Sequence, residues 1–255
     1  MNPAGPLAVG FLAGFLGTLL GIGGGVFIVP LLVLAGVDIK RAAAASLVAI
    51  LGTSAGGLRR LHREGLVDVW TAVFLESAST TGAFLGAVLV GRVESRLLVA
   101  LFGILLIASA AGFVVEEGVG RRGGRRSLRE VPGSGRAVGW LASFAAGMVS
   151  AVLGIGGGVI KVPVLVLLLR FDMKVAVATS KMMVGLTALA GVLGHALGGR
   201  LDAGLALPLL AGTYTGATLS SRVLLRVGSR ALRRLALAYY LAMGAYMLAR
   251  GLGLA

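Results

Sequence analysis

Two glycine strings mark where this chain could do chemistry. Gly21-Ile22-Gly23-Gly24-Gly25-Val26 recurs unchanged as Gly154-Ile155-Gly156-Gly157-Gly158-Val159, and each copy is followed at the same distance by a proline, Pro30 and Pro163. Both copies lie inside long apolar stretches. Each glycine costs a helix about 1 kcal/mol relative to alanine, so a run of them breaks the helix. Broken backbone at membrane depth is tolerated only where protein buries it or where it lines a polar cavity. Beyond each string the chain is expected to re-enter a helix, with the proline near its start, where a missing N–H costs least. Unpaired N–H groups at a helix N-terminus carry partial positive charge and favour an anion. Gly23, Gly24, Gly25, Gly156, Gly157 and Gly158 are therefore candidate anion ligands on two facing tips. The competing use of these glycines is close helix packing. A nucleotide site is excluded, because no Gly-Lys-Ser/Thr follows either string.

Two lysines and one glutamate stand where a membrane segment should be apolar. Lys161 lies three residues beyond Gly158, while the matching position after the first string is Ile28, so the fold does not demand a charge there. An ammonium within a membrane costs on the order of 3 kcal/mol unless it is paired, hydrated or reaches the interface. Lys181, opposite Leu47, is a second case. Both are candidate anion ligands; pairing with a buried carboxylate is the structural alternative. Glu76, opposite Leu210, is the acid deepest in a span. It reads either as a proton-coupling group or as the counter-ion of Lys161 or Lys181. Hydroxyls cluster at matched places: Ser46 with Thr179-Ser180, Thr53-Ser54 with Thr187, and Ser79-Thr80-Thr81 with Thr213-Tyr214-Thr215. They can donate to an oxyanion, although bonding back to their own helix is the commoner use. Thr179 and Ser180, just before Lys181, are the preferred ligands. His62 and His195 fall near element ends and read as interfacial. The sequence has no metal-ligand cluster or Ser-His-Asp arrangement, and no cysteine, so neither a metal, a cofactor nor a catalytic nucleophile is expected.

The elements that carry these residues are membrane spans. Mean hydropathy is +0.97; 57% of the 255 residues are hydrophobic and 13% charged. Apolar runs of roughly 17–25 residues span a bilayer. The net charge of +14 would suggest nucleic acid in a soluble chain. Here Lys and Arg sit in the short gaps between apolar stretches, so orientation in the bilayer accounts for them and no nucleic-acid partner is expected. The apolar elements are 7–34 (broken at the glycines), 42–57, 67–90, 97–115, 138–169 (broken again), 175–196, 203–221 and 231–250. Met1 to Pro6 lacks the charged start and cleavage site of a signal peptide and reads as the mature N-terminus.

The chain is a duplication. At a shift of 133, Val29, Pro30, Leu32 and Val33 match Val162, Pro163, Leu165 and Val166; after one inserted residue the shift is 134. Asp38 and Lys40 then match Asp172 and Lys174, Gly65 and Asp68 match Gly199 and Asp202, and Thr81-Gly82-Ala83 matches Thr215-Gly216-Ala217. The reading is a first repeat over 1–115, a basic linker over 116–137, and a second repeat over 138–255.

Charge orients the repeats. If each broken element crosses once, Lys and Arg divide evenly between the two sides. If each is instead a hairpin that enters and leaves on one face, three full crossings remain per half. One side then collects 16 basic residues: Arg59, Arg60, Arg63, the linker arginines, Arg170, Lys174 and the group from Arg222 to Arg234. The other holds 6: Lys40, Arg41, Arg92, Arg96, Arg200 and Arg250. Only the odd count obeys the positive-inside rule. It makes the halves inverted, the linker cytoplasmic and both termini external. Length agrees, since 7–20 and 26–36 give roughly 21 Å and 17 Å of helix, each short of a ~30 Å core.

The chain resembles the sulfite exporter TauE/SafE family, also called the toluene sulfonate uptake permease family. The likeness rests on Gly-x-Gly-Gly-Gly-x(4)-Pro in both halves, Ala178-Thr179-Ser180 after Lys174, and the pairs Gly65-x-x-Asp68 and Gly199-x-x-Asp202. It covers nearly the whole chain. The first half reads Ala44-Ala45-Ser46, so no hydroxyl role carries over to position 45. The resemblance implies a polytopic inner-membrane carrier of sulfur-containing anions such as sulfite, sulfonates or sulfoacetate-like compounds. The lysines and helix N-termini argue independently for an anion.

The expectation is an all-α polytopic membrane protein of two inverted repeats, each a glycine-tipped re-entrant helix pair plus three transmembrane helices. It would act as a secondary transporter of small oxyanions by alternating access, with proton coupling as one option. The alternative class is a membrane-embedded enzyme or assembly factor. The expected partners are a small anionic substrate and the lipid bilayer.

Overall fold

The computed structural model describes residues 4–19, 23–118, 124, 127–223 and 229–254. Gly21, Ile22, the linker arginines Arg121, Arg122, Arg125 and Arg126, and Arg226 lie outside the described residues, as do the side chains of Arg59, Arg60, Arg222, Arg230, Arg233 and Arg234.

The described chain is helical throughout, and its elements follow the duplication. The first half forms α1 (Ala4–Leu19), α2 (Gly25–Leu34), α3 (Ile39–Arg63), α4 (Val69–Leu89) and α5 (Ser95–Gly118). The second forms α6 (Gly133–Leu153), α7 (Gly158–Pro163), α8 (Met173–Leu197), α9 (Ala203–Val223) and α10 (Ser229–Gly251). The residues that recur in the repeat prove to be helix punctuation. Gly65 and Gly199 take φ of 65° and 63°, the left-handed backbone that ends α3 and α8. Asp38 and Asp172 accept from the backbone N–H of Lys40 and Lys174 at 2.9 Å and so cap α3 and α8. The single inserted residue of the second half is absorbed as a π-helical turn, Val164–Leu168, that continues α7.

Three helices are long and apolar enough to cross a membrane among the described residues: Val69–Arg92, Gly133–Leu153 and Lys174–Leu197. Leucines such as Leu12, Leu141, Leu193, Leu197 and Leu207 are more than half exposed, as lipid-facing side chains should be. Two expectations need correction. The hairpin arms are short in α1, α2 and Gly158–Leu168, but α6 runs 21 residues, about 32 Å. Its first turn belongs to the linker side, where the Arg136 guanidinium donates to the carbonyls of Val131 and Arg129 at 2.8 and 2.9 Å. Helix enters the segment 116–137 from both sides, since α5 continues to Gly118 and α6 starts at Gly133. Pro30 is also not in the first turn. It is the sixth residue of α2, and the Val26 carbonyl that loses its helical donor accepts from the Tyr239 hydroxyl at 3.3 Å.

The halves interlock through exchanged helices. α1 packs on α9 as α6 packs on α4, and α3 packs on α9 as α4 packs on α8. Glycines let these backbones meet: a Cβ at Gly14 would lie 2.4 Å from the Thr213 carbonyl oxygen, and one at Gly147 2.0 Å from that of Ser79. α3 and α8 run antiparallel, since Gly191 faces Leu47 while Gly185 faces Ser54. α5 and α10 do too, with Gly251 against Ala100 and Gly103 against Leu248. One end of the molecule gathers Lys40, whose ammonium donates to the Gly91 carbonyl at 3.1 Å, and Arg200, which donates to that of Ala87. The opposite end gathers Asp68, Leu128 and Thr179 through two bonds: Asp68 N–H to Thr179, and Leu128 N–H to Thr71.

Candidate functional site

The two glycine tips touch at the centre of the fold. A Cβ on Gly25 would stand 2.6 Å from the Gly154 carbonyl oxygen and 2.9 Å from the Ile155 Cα. That same carbonyl accepts from the buried Ser46 hydroxyl at 2.7 Å. Gly23, Gly154, Gly156 and Gly157 all adopt positive φ, between 72° and 84°, so these turns need glycine whatever else they do. Of the two uses foreseen for the glycines, close packing is visible at several of them. Gly25 and Gly154 serve close packing, Gly156 faces Ile50 and Val184, and Gly157 abuts Lys161 and Ser150. Gly24 caps α2 against Thr53.

Beside the tips lies a small cavity of about 20 Å³, room for one water molecule. The first half lines it with Gly17, Thr18, Gly23, Thr53 and Ser54; the second contributes Gly158, Ser180, Lys181 and Val184. Of the residues picked out from the sequence, Gly23, Gly158, Ser180 and Lys181 are brought together here. Lys181 has no ion pair or hydrogen bond among the described residues. Ser54 is 6% exposed, and its hydroxyl and that of Thr18 are buried without a hydrogen-bond partner. A buried hydroxyl left unpaired costs about 1–3 kcal/mol, so two such groups beside a free ammonium ask for an acceptor. Thr53 and Ser180 donate to carbonyls of their own helices, Ile50 at 2.9 Å and Val177 at 3.1 Å, the commoner fate of a helical hydroxyl.

Lys161 and Glu76 stand apart from this cavity and together. Lys161 on α7 and Glu76 on α4 are 1% and 3% exposed and form a direct ion pair. The ammonium also donates to the Thr187 hydroxyl and, at 3.3 Å, to the Met183 carbonyl, which uses its three protons. Thr187 is in contact with the other carboxylate oxygen of Glu76 at 2.7 Å and with the Ser79 hydroxyl at 2.9 Å. The network ties the second glycine tip to α4 and α8. Thr179 is engaged elsewhere, accepting the Asp68 N–H at 3.0 Å. His195, expected at the interface, is fully buried: Arg200 Nε donates to its Nδ1 at 3.3 Å, leaving Nε2–H to donate to the Ala151 carbonyl at 2.9 Å. Among the described residues no group of three or more His, Asp or Glu is placed to hold a metal.

Thr18 and Ser150 are the polar groups that sequence reasoning missed. Thr18 falls opposite Ala151, so matching hydroxyls across the repeat hides it. Its position three residues before the first glycine string was the available signal. Ser150 lies four residues before the second string, opposite Gly17, and its hydroxyl is also unpartnered.

Residues 7–247 match the sulfite exporter TauE/SafE family. The chain is 27% identical over 236 residues to the probable membrane transporter protein YunE of Bacillus subtilis, covering 85% of this chain and 86% of that one. It is 28% identical to the probable membrane transporter protein MJ0441 of Methanocaldococcus jannaschii, over 74% of this chain and 70% of that one. It is 25% identical to the probable membrane transporter protein YfcA of Escherichia coli, over 88% and 81%. No solved structure matches the chain. The chain belongs to the sulfite exporter TauE/SafE family.

Proposed function

We propose that this protein is a secondary carrier of small sulfur-containing anions, and that the anion binds at Lys181. The observation that carries the proposal is the cavity between the glycine tips, where one unpaired ammonium and the unpartnered hydroxyls of Thr18 and Ser54 converge from both halves. Site and tips belong to neither half alone, as a carrier working by alternating access needs. The names of its relatives, probable membrane transporters, and of its family, sulfite exporters, support transport and the sulfur-anion class.

The same carrier reading takes the halves as inverted, and two observations support it. The matched helices α3 and α8 are antiparallel, and so are α5 and α10. Lys40 and Arg200, assigned by charge to the sparse side, share one end, while Leu128 of the linker packs at the other. With the linker on the cytoplasmic side, the arrangement satisfies the positive-inside rule. The cavity has room for about one water, so binding an anion there requires it to widen. Lys161 and Glu76 are then best read as positioning residues: each neutralises the other, and their network fixes the second tip.

Purified protein titrated with sulfite tests the site. Lys181→Gln should lose sulfite-induced thermal stabilisation, while Arg129→Ala, in the linker, should keep it. If the Lys181 variant binds sulfite as the parent does, the cavity is not the binding site.

A further inference from the structure

We infer that the cavity selects its anion by charge, taking a single negative charge and rejecting a dianion of the same size. The inference rests on the anion site proposed above and deepens it. Among the described residues lining the cavity, Lys181 is the one charged group, and no carboxylate faces it. The buried charges of Lys161, on α7, and Glu76, on α4, already cancel each other. A monoanion against Lys181 therefore closes a neutral site within the membrane. A dianion leaves one uncompensated negative charge there, in surroundings where such a charge is expensive.

The hydrogen-bonding capacity points the same way. Three groups lack a protein acceptor at the cavity: the Lys181 ammonium, the Ser54 hydroxyl and the Thr18 hydroxyl. Both hydroxyls are neutral, so they can bind oxygen without adding charge for a second negative group. These three donor groups can all reach oxygens of a head group R–SO3−, and Val184 adds an apolar side chain to the lining for R.

Methanesulfonate and sulfate have nearly the same shape and differ by one charge, which makes them the test pair. The full chain in detergent is titrated calorimetrically with each sodium salt at one pH and matched ionic strength. Methanesulfonate should bind on the order of a hundredfold more tightly than sulfate. Lys181→Gln should abolish that binding, Lys181→Arg should retain the preference, and Ser54→Ala should weaken methanesulfonate binding about tenfold. Each variant is first shown to elute as the parent does, and Ser54→Ala serves as the independent probe if Lys181→Gln does not fold. Sulfate binding as tightly as methanesulfonate would overturn charge selection while leaving the anion site standing. Failure of both salts to bind would overturn the site and the selection together.

Discussion

Exchanging the buried pair for the apolar residues of the other half makes a severe test of the packing account. Lys161 and Glu76 correspond in the repeat to Ile28 and Leu210. The fold has thus already solved these two positions once without charge. Lys161→Ile alone leaves the Glu76 carboxylate at 3% exposure with, among the described residues, a single remaining partner, the Thr187 hydroxyl. Glu76→Leu alone leaves an ammonium at 1% exposure with only neutral acceptors, Thr187 and the Met183 carbonyl. Removing one member of a buried pair costs about 3–5 kcal/mol, since the survivor stays charged and buried. For a chain of this size that corresponds to a fall in melting temperature on the order of 10 °C. The double variant should recover most of the loss, because replacing a buried pair by apolar residues is often neutral. Thr187 and Ser79 would still satisfy each other at 2.9 Å. The assay is thermal unfolding of the parent, both single variants and the double variant in the same detergent. A double variant no more stable than either single variant would refute the claim that the two charges cancel. Uptake measured on the double variant then separates positioning from transport: retained uptake leaves Glu76 without a role in proton coupling.

Further expectations follow from single contacts. Gly25→Ala should destabilise the protein by about 1–3 kcal/mol, because its Cβ meets the Gly154 carbonyl oxygen at 2.6 Å, whereas Gly133→Ala, which meets nothing within 4 Å, should be neutral in thermal unfolding. Tyr239→Phe should lower stability by about 1 kcal/mol, since it orphans the Val26 carbonyl that Pro30 already deprives of a helical donor. A cysteine or reporter tag in the loop after Gly118 should be accessible from the cytoplasm and tags at both termini from outside; termini on opposite faces would contradict the inverted arrangement.

Much of this architecture was legible in the sequence, because duplication writes every structural requirement twice. Asp38 and Asp172 cap helices, and Gly65 and Gly199 end them, which is why these pairs recur where the lipid-facing residues drift. The extra residue near 167 could be counted from the shift in register, but only the structure shows it as a π turn. Backbone can also persist where its residue does not: Gly36 and Arg170 are counterparts, and both take positive φ, 84° and 58°. The site was half legible. Charge in an apolar stretch marked Lys161, Lys181 and Glu76 equally, and one-dimensional order could not say which lysine Glu76 reaches from α4. Burial decides it, since the carboxylate sits against Lys161 and leaves Lys181 unpaired. His195 was misplaced for a similar reason. Its position near the end of α8 suggested an interface, but Arg200, from the following loop, folds over it and covers it.

The central claim is that this chain alone carries an anion through a site built on Lys181. Protein reconstituted into liposomes, with radiolabelled sulfite supplied outside and unlabelled sulfite within, measures it most directly. The account predicts saturable exchange by the parent chain and none above protein-free vesicles for Lys181→Gln incorporated at equal density. Exchange by the Lys181→Gln vesicles at the parental rate, or none by the parent, would contradict it.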